Sequence, residues 1–230
     1  KTFKYFAGHS LGEYSALVCS ESLNLSDALY LLHERGKAMQ SAVPVGKGSM
    51  LAVLGLNIDE VNNLIINDKN KKGTCEIAND NADGQVIISG ERDAIQSLQN
   101  SLKEKKIKSI PLKVSAPFHC SLMKPAAEIM KEKINKIRFN DPLFAIINNV
   151  TAKVEKDSNI IKKLLIDQIF STVRWRESLV NMSETGIKNF VEIGPGKALT
   201  GMVKRTIKNA NCFSINSIAD IKNFKNEFKK

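Results

Sequence analysis

The apolar positions of this 230-residue chain switch between a two-residue and a helical rhythm, and the switches predict its elements. The run Phe3 to Ala7 reads as a strand, and Tyr14, Ala16, Leu17 and Val18 follow it at helical spacing. Ser26 and Asp27 stand where an N-cap would, and Ala28, Leu31, Leu32, Arg35 and Met39 carry a second helix to about Gln40. Pro44, Gly46 and Gly48 mark a loop, after which the pattern changes. It then predicts a strand (Met50 to Leu54), a helix (Ile58 to Ile66), two strands (Thr74 to Ala78 and Gln85 to Ser89), a helix (Arg92 to Lys103) and a strand (Ile107 to Leu112).

This β-α-β-β-α-β order is the signature of a ferredoxin-like unit, with the Asn/Asp/Gly-rich stretch Asn79 to Gly84 as the turn between its middle strands. Beyond it come a helix (Leu122 to Lys136), a strand (Phe144 to Asn148), helices at Ile160 to Ile169 and Trp175 to Glu184, a strand (Asn189 to Ile193) and a helix from Lys197. The expectation is an α/β protein. An α/β-hydrolase-like core with a parallel sheet takes residues 1–46 and 115–230, and a ferredoxin-like α+β subdomain is inserted at 47–114.

Composition narrows the function classes. Hydrophobic residues at 43% and charged residues at 25% suit a soluble domain, and no apolar run is long enough to span a bilayer. The four cysteines lack C-x-x-C spacing, which excludes a zinc cage and a disulfide scaffold, and three histidines are too few for a His-based metal site. A net charge of +10 favours an acidic partner. Runs such as Lys69-Asn70-Lys71-Lys72 and Lys103-Glu104-Lys105-Lys106 have no interleaved aromatics, so they read as solvated faces rather than a nucleic-acid surface.

The chemistry lies in Gly8-His9-Ser10-Leu11-Gly12, a G-x-S-x-G nucleophile elbow between a predicted strand and helix. Glycines two residues either side of Ser10 let the backbone bend, and the N–H groups at the helix start can receive an oxyanion. Ser10 needs a base. His9 should point away from the hydroxyl, His33 lies on a helix surface, and His119 follows Pro117 in a strand-to-helix loop that presents a side chain to a cleft. Asp141 or Glu192 could orient the imidazole, or a carbonyl could, and a Ser-His dyad with carbonyl support is expected.

Arg35, on the inner side of the helix lined by Leu31, Leu32 and Met39, suits bidentate binding of a substrate carboxylate; pairing with Glu34 or Glu13 is its structural alternative. Gly194-Pro195-Gly196 reads as a turn, because a phosphate loop would need a third glycine where Leu199 stands.

These residues resemble the malonyl-CoA:acyl-carrier-protein transacylases of fatty acid synthesis over nearly the whole chain. The match runs through Gly8 to Tyr14, Arg35 to Gln40, Asn79 to Gly90, Pro117 to Cys120, Asn148 to Val150 and Glu192 to Gly201. The resemblance implies Ser10 as the acylated nucleophile, His119 as base, Gln168 as donor of its main-chain carbonyl to His119, and the Leu11 N–H as an oxyanion donor. It implies Arg35, Met39, Phe118 and Asn79 at the acyl site, with Leu11 and Phe118 in a malonyl-selective rather than methylmalonyl-selective pattern. It further implies malonyl-CoA as substrate, no bound cofactor and an acyl carrier protein as partner; the positive charge fits an acidic carrier, with Lys108 and Lys113 as candidate contacts, and a monomer is expected.

Family members begin roughly 80 residues earlier, with a strand and a Gly-Gln-Gly loop whose glutamine supplies a second oxyanion donor. A serine hydrolase or thioesterase, and a non-catalytic carrier-binding fragment, are the rival readings. The Lys/Asn/Ile-rich composition resembles that of apicomplexan parasite proteins, which points to the plastid stroma, with a cytoplasmic location as the alternative.

Overall fold

A computed structural model describes residues 3–68 and 72–228; most of the Lys69 to Lys72 run lies outside them. Strand β1 (Tyr5–Ala7) leads through the elbow into α1 (Gly12–Cys19), and α2 (Leu25–Ser41) follows. The cap of α2 is Asn24, whose side chain accepts from the Asp27 N–H, so the helix starts earlier than Ser26 suggested.

The next elements are β2 (Gly48–Leu54), α3 (Ile58–Asn67), β3 (Cys75–Ala82), β4 (Gln85–Glu91), α4 (Arg92–Glu104) and β5 (Ser109–Pro111). They form an antiparallel sheet ordered β3-β4-β2-β5, the ferredoxin-like arrangement. Both faces of β2 are covered. Leu51 and Val53 enter a core with Val86, Ile88, Leu98 and Leu102, while Met50 and Ala52 pack with Ala78 and Ile87 on the other face. Phe118 packs against this second face and also against the core of α1, α2 and the later helices, so it lies between the two units.

One predicted turn becomes strand. Asn79, Asp80 and Asn81 continue β3 because partners outside the unit hold them: Val173 exchanges main-chain hydrogen bonds with Ala78 and Asp80, and Arg176 grips the Asp80 carboxylate at 2.9 and 3.1 Å. The turn itself shrinks to Asp83 and Gly84, with Gly84 at φ 70°.

Helix α5 (Lys124–Lys136) follows a short 3₁₀ turn, then come β6 (Ala145–Ile147), β7 (Val154–Glu155), α6 (Ser158–Gln168), α7 (Trp175–Glu184), β8 (Asn189–Ile193), α8 (Ala198–Thr206), β9 (Asn211–Ile215) and α9 (Ile218–Phe228). The parallel sheet expected as one piece is two ladders among the described residues: β1 with β6, and β8 with β9, while β7 adds to β6 antiparallel. The register Ala7↔Ile147 brings the C-terminal ends of β1 and β6 together, where α/β folds place their sites.

Candidate active site

At the end of β1 the chain turns so sharply that Ser10 takes φ 53°, a left-handed conformation few non-glycine residues adopt. The two elbow glycines have different roles. A Cβ on Gly8 would lie 1.9 Å from the Gly12 carbonyl oxygen, so only glycine fits there, whereas a Cβ on Gly12 would meet nothing within 4 Å.

Asn149, two residues beyond β6, clamps the bend. Its Oδ1 accepts the Ser10 N–H at 2.7 Å and its Nδ2 donates to the Gly8 carbonyl at 2.8 Å. The Gly12 and Glu13 amides turn back to the His9 and Ser10 carbonyls, while the Leu11 N–H, at the cap of α1, has no acceptor among the described residues.

His119 reaches the serine from the opposite side. Its loop is fixed at three points: the Pro117 ring fills the space a Cβ on Gly48 would need, Ser115 Oγ meets Gln40, and Ser121 donates to Glu76 from both N–H and Oγ. His119 is itself left-handed at φ 60°. Its Nε2 lies 2.7 Å from Ser10 Oγ and its Nδ1 lies 2.8 Å from the Gln168 carbonyl. A carbonyl only accepts, so Nδ1 carries the proton and Nε2 is free to take one from Ser10. Burial, with the neighbouring Arg35 charge adding to it, lowers the His119 pKa to about 3, which keeps the ring neutral and its Nε2 unprotonated.

Arg35 is buried and donates through Nη2 to Ser10 Oγ and to Gln168 Oε1, both at 3.0 Å. Its Nε is buried without a hydrogen-bond partner. An unpaired buried donor on a guanidinium is poised for an incoming acceptor, and a carboxylate offers two. Neither alternative forms an ion pair with Arg35 among the described residues: Glu34 holds Lys133 at 2.6 Å and Lys37 at 3.5 Å, and Glu13, although it feels the Arg35 charge, accepts its hydrogen bonds from Asn149 and Gln168.

The remaining residues sort themselves by position. Met39 is buried one helical turn beyond Arg35, among the apolar residues packed around α1, α2 and α5. Asn79 is buried in β3 beside Val173, but it is Asn81 whose side chain reaches the elbow, accepting from His9 Nε2 at 2.7 Å. His9 stacks edge-on against Trp175 and takes no part at Ser10. Leu11 is 58% exposed beside the serine, and Phe118 is half-buried next to His119. Lys108 and Lys113 are exposed on and after the ferredoxin-like unit, and His33 is exposed on α2.

Asp141 and Glu192 are engaged elsewhere, Asp141 on the Ser158 N–H and Glu192 on the Leu199 and Thr200 amides of α8. Among the described residues no cluster of His, Cys, Asp and Glu could hold a metal, and no helix is long and apolar enough to cross a membrane. A groove of about 590 Å³ between α3, β3 and Phe170 to Thr172 reaches His119.

Sequence reasoning missed Glu13, Asn149 and the Gln168 side chain. Glu13 had left a signal: it precedes Ala16 and Leu17 by three and four residues, which puts a carboxylate on the buried face of α1.

A strained serine, a neutral imidazole oriented by a carbonyl and a free helix-start amide define a serine acyltransferase or hydrolase centre. The acyl transferase domain model matches residues 2–229, and the chain belongs to that family. Similar proteins include several named malonyl CoA-acyl carrier protein transacylase. The Haemophilus influenzae protein of that name is 42% identical over 217 residues, covering 93% of this chain and 68% of its own length. The crystal structure of acyl-carrier-protein-S-malonyltransferase from Bartonella henselae superposes with a TM-score of 0.95 at 39% identity, over 100% of this chain and 73% of its own. A malonyl-transacylase solved in complex with a type II polyketide acyl-carrier protein matches with a TM-score of 0.93 at 37% identity, over 98% and 74%.

Proposed function

We propose that this protein moves a malonyl group from malonyl-CoA to the pantetheine thiol of an acyl carrier protein, through a malonyl-Ser10 intermediate, in fatty acid biosynthesis. The observation that carries the reading is Arg35, whose guanidinium lies 3.0 Å from Ser10 Oγ with its buried Nε unpaired.

Ser10 Oγ attacks the thioester carbonyl as its proton passes to His119 Nε2, and the Leu11 N–H faces the developing oxyanion. CoA leaves as the thiol when His119 returns that proton. His119 then takes the proton of the carrier thiol, whose sulfur attacks the malonyl ester, and passes it to the departing Ser10 Oγ, restoring the serine and the neutral imidazole. Arg35 holds the malonyl carboxylate throughout. An acetyl group would leave the guanidinium unpaired, and Arg35→Ala should therefore narrow the malonyl-over-acetyl preference.

The groove reaching His119 offers the thioester arm a path, and half-buried Phe118 with exposed Leu11 shapes the acyl end. Lys108 and Lys113 are exposed, which supports them as contacts for an acidic carrier, in keeping with the net charge of +10. Neither residue set calls for a resident cofactor. The Lys/Asn/Ile-rich composition supports a plastid stromal enzyme, to be checked by imaging a tagged full-length protein, and light scattering checks the monomer.

Mass spectrometry of the full-length protein after malonyl-CoA treatment tests the reading. A malonyl adduct on Ser10 that a carrier thiol discharges supports transfer, while rapid release of free malonate supports a thioesterase and no adduct a carrier-binding role.

A further inference from the structure

Beneath Arg35 lies a carboxylate that this chemistry leaves unused. Glu13 is 1% exposed, and its Oε2 accepts from the Asn149 N–H at 3.1 Å and from Gln168 Nε2 at 2.8 Å. The Gln168 amide faces two unlike surroundings. Its Nε2 also points at the Ser10 carbonyl (3.1 Å) and Asn149 Oδ1 (3.3 Å), both acceptors, while its Oε1 receives Arg35 Nη2.

Turning the amide over would set its oxygen against three acceptors and its N–H₂ against a guanidinium, so one orientation is strongly favoured. Glu13 is the charged member of the acceptor set, and charge-assisted hydrogen bonds are the stronger kind. Burial raises the Glu13 pKa to about 7, with the bonds from Gln168 and Asn149 and the Arg35 charge opposing that rise. Both N–H donors point at the same oxygen, Oε2, which accepts in either protonation state, and ionisation strengthens both bonds.

We infer that Glu13 is a positioning residue for the acyl-carboxylate anchor: its carboxylate holds the Gln168 amide in the orientation that keeps Arg35 facing Ser10. The inference rests on the reading of Arg35 as that anchor, and it makes acyl selectivity depend on a side chain that touches neither substrate nor reacting atoms.

Two readouts on the full-length protein test it. The first needs no substrate: the Nε–H resonance of Arg35 in a ¹⁵N spectrum. Glu13→Ala should shift or broaden it, and Glu13→Gln, which keeps an acceptor in place, should restore most of it. The second is kcat/KM for malonyl-CoA against acetyl-CoA. Glu13→Ala should lower that preference about tenfold or more, chiefly through the malonyl KM, with Glu13→Gln recovering it to within about threefold.

If Glu13→Ala does not fold, Gln168→Met carries the test, since it removes the amide, keeps the main-chain carbonyl on His119, and should move both readouts the same way. An Arg35 resonance unmoved in these variants, or equal losses with both thioesters, would overturn the inference. A wild-type protein that takes no malonyl group would overturn the functional reading instead, and the resonance would still decide the role of Glu13.

Discussion

The ferredoxin-like unit and the elbow junction are built on opposite terms. The first is locally consistent: α3 opens with a reciprocal capping box between Asn57 and Glu60, Leu51, Val53, Ile88 and Leu98 are buried with no polar group to satisfy, and Gly55, Gly73 and Gly84 supply left-handed turns. The junction breaks those habits. Among its described residues the unit has one left-handed non-glycine, Lys106, and one unpaired buried oxygen, on Gln85, but at the junction both kinds of strain fall on the reacting groups: left-handed backbone on Ser10 and His119, and Glu13, Arg35, Asn149 and Gln168 buried together with one donor of Arg35 unpaired. Such an arrangement persists only where its surroundings hold it, and here those surroundings include the unit itself, through Asp80–Arg176, Asn81–His9 and Pro117 on Gly48. The steady unit supports the strained one.

Mutations that separate stability from chemistry sharpen this contrast. The largest effect expected is from His119→Ala, which should slow Ser10 acylation by about 10³ to 10⁴ with little change in melting temperature. Single-turnover acylation and thermal melts check the two halves. Gly8→Ala comes next: its Cβ would collide with the Gly12 backbone, so the variant should lose both activity and several degrees of Tm, about 3 kcal/mol or more. Gly84→Ala is the control, with a positive φ but no contact closer than 3.5 Å, and should cost only about 1 kcal/mol.

Leu98→Ala should destabilise the unit by about 2 to 5 kcal/mol in urea titrations, while the folded fraction still acylates Ser10. The smallest effect is a titration. With its pKa lowered to about 3, the His119 ring should stay neutral from pH 8 down to about 5 in NMR spectra. The sign follows from burial, which penalises the cation, and a midpoint near 6.5 would place the ring in water instead.

The same contrast decides what could be read from the sequence. The ferredoxin-like order is legible because its strands and helices follow their local periodicity, and five of its six elements lie within two residues of their expected bounds. The reading fails at Asn79 to Ala82, where polar residues that look like a turn are held in a strand by Val173 and Arg176, far along the chain. In the site, Ser10, His119 and Arg35 are legible because their chemistry is unusual where they stand. Asn149 and the Gln168 side chain are not, since an amide matters only through the neighbours that folding supplies.

Everything rests on the claim that a carboxylate-bearing acyl group is carried on Ser10 under the hold of Arg35. The direct measurement is intact-protein and peptide mass spectrometry of wild-type and Arg35→Ala full-length protein, each incubated with malonyl-CoA and acetyl-CoA in competition. The account predicts a malonyl adduct on the Ser10 peptide of the wild type, discharged by a carrier thiol, and a marked shift toward acetyl in the variant. An adduct elsewhere, or the same malonyl-to-acetyl ratio in both proteins, would contradict it.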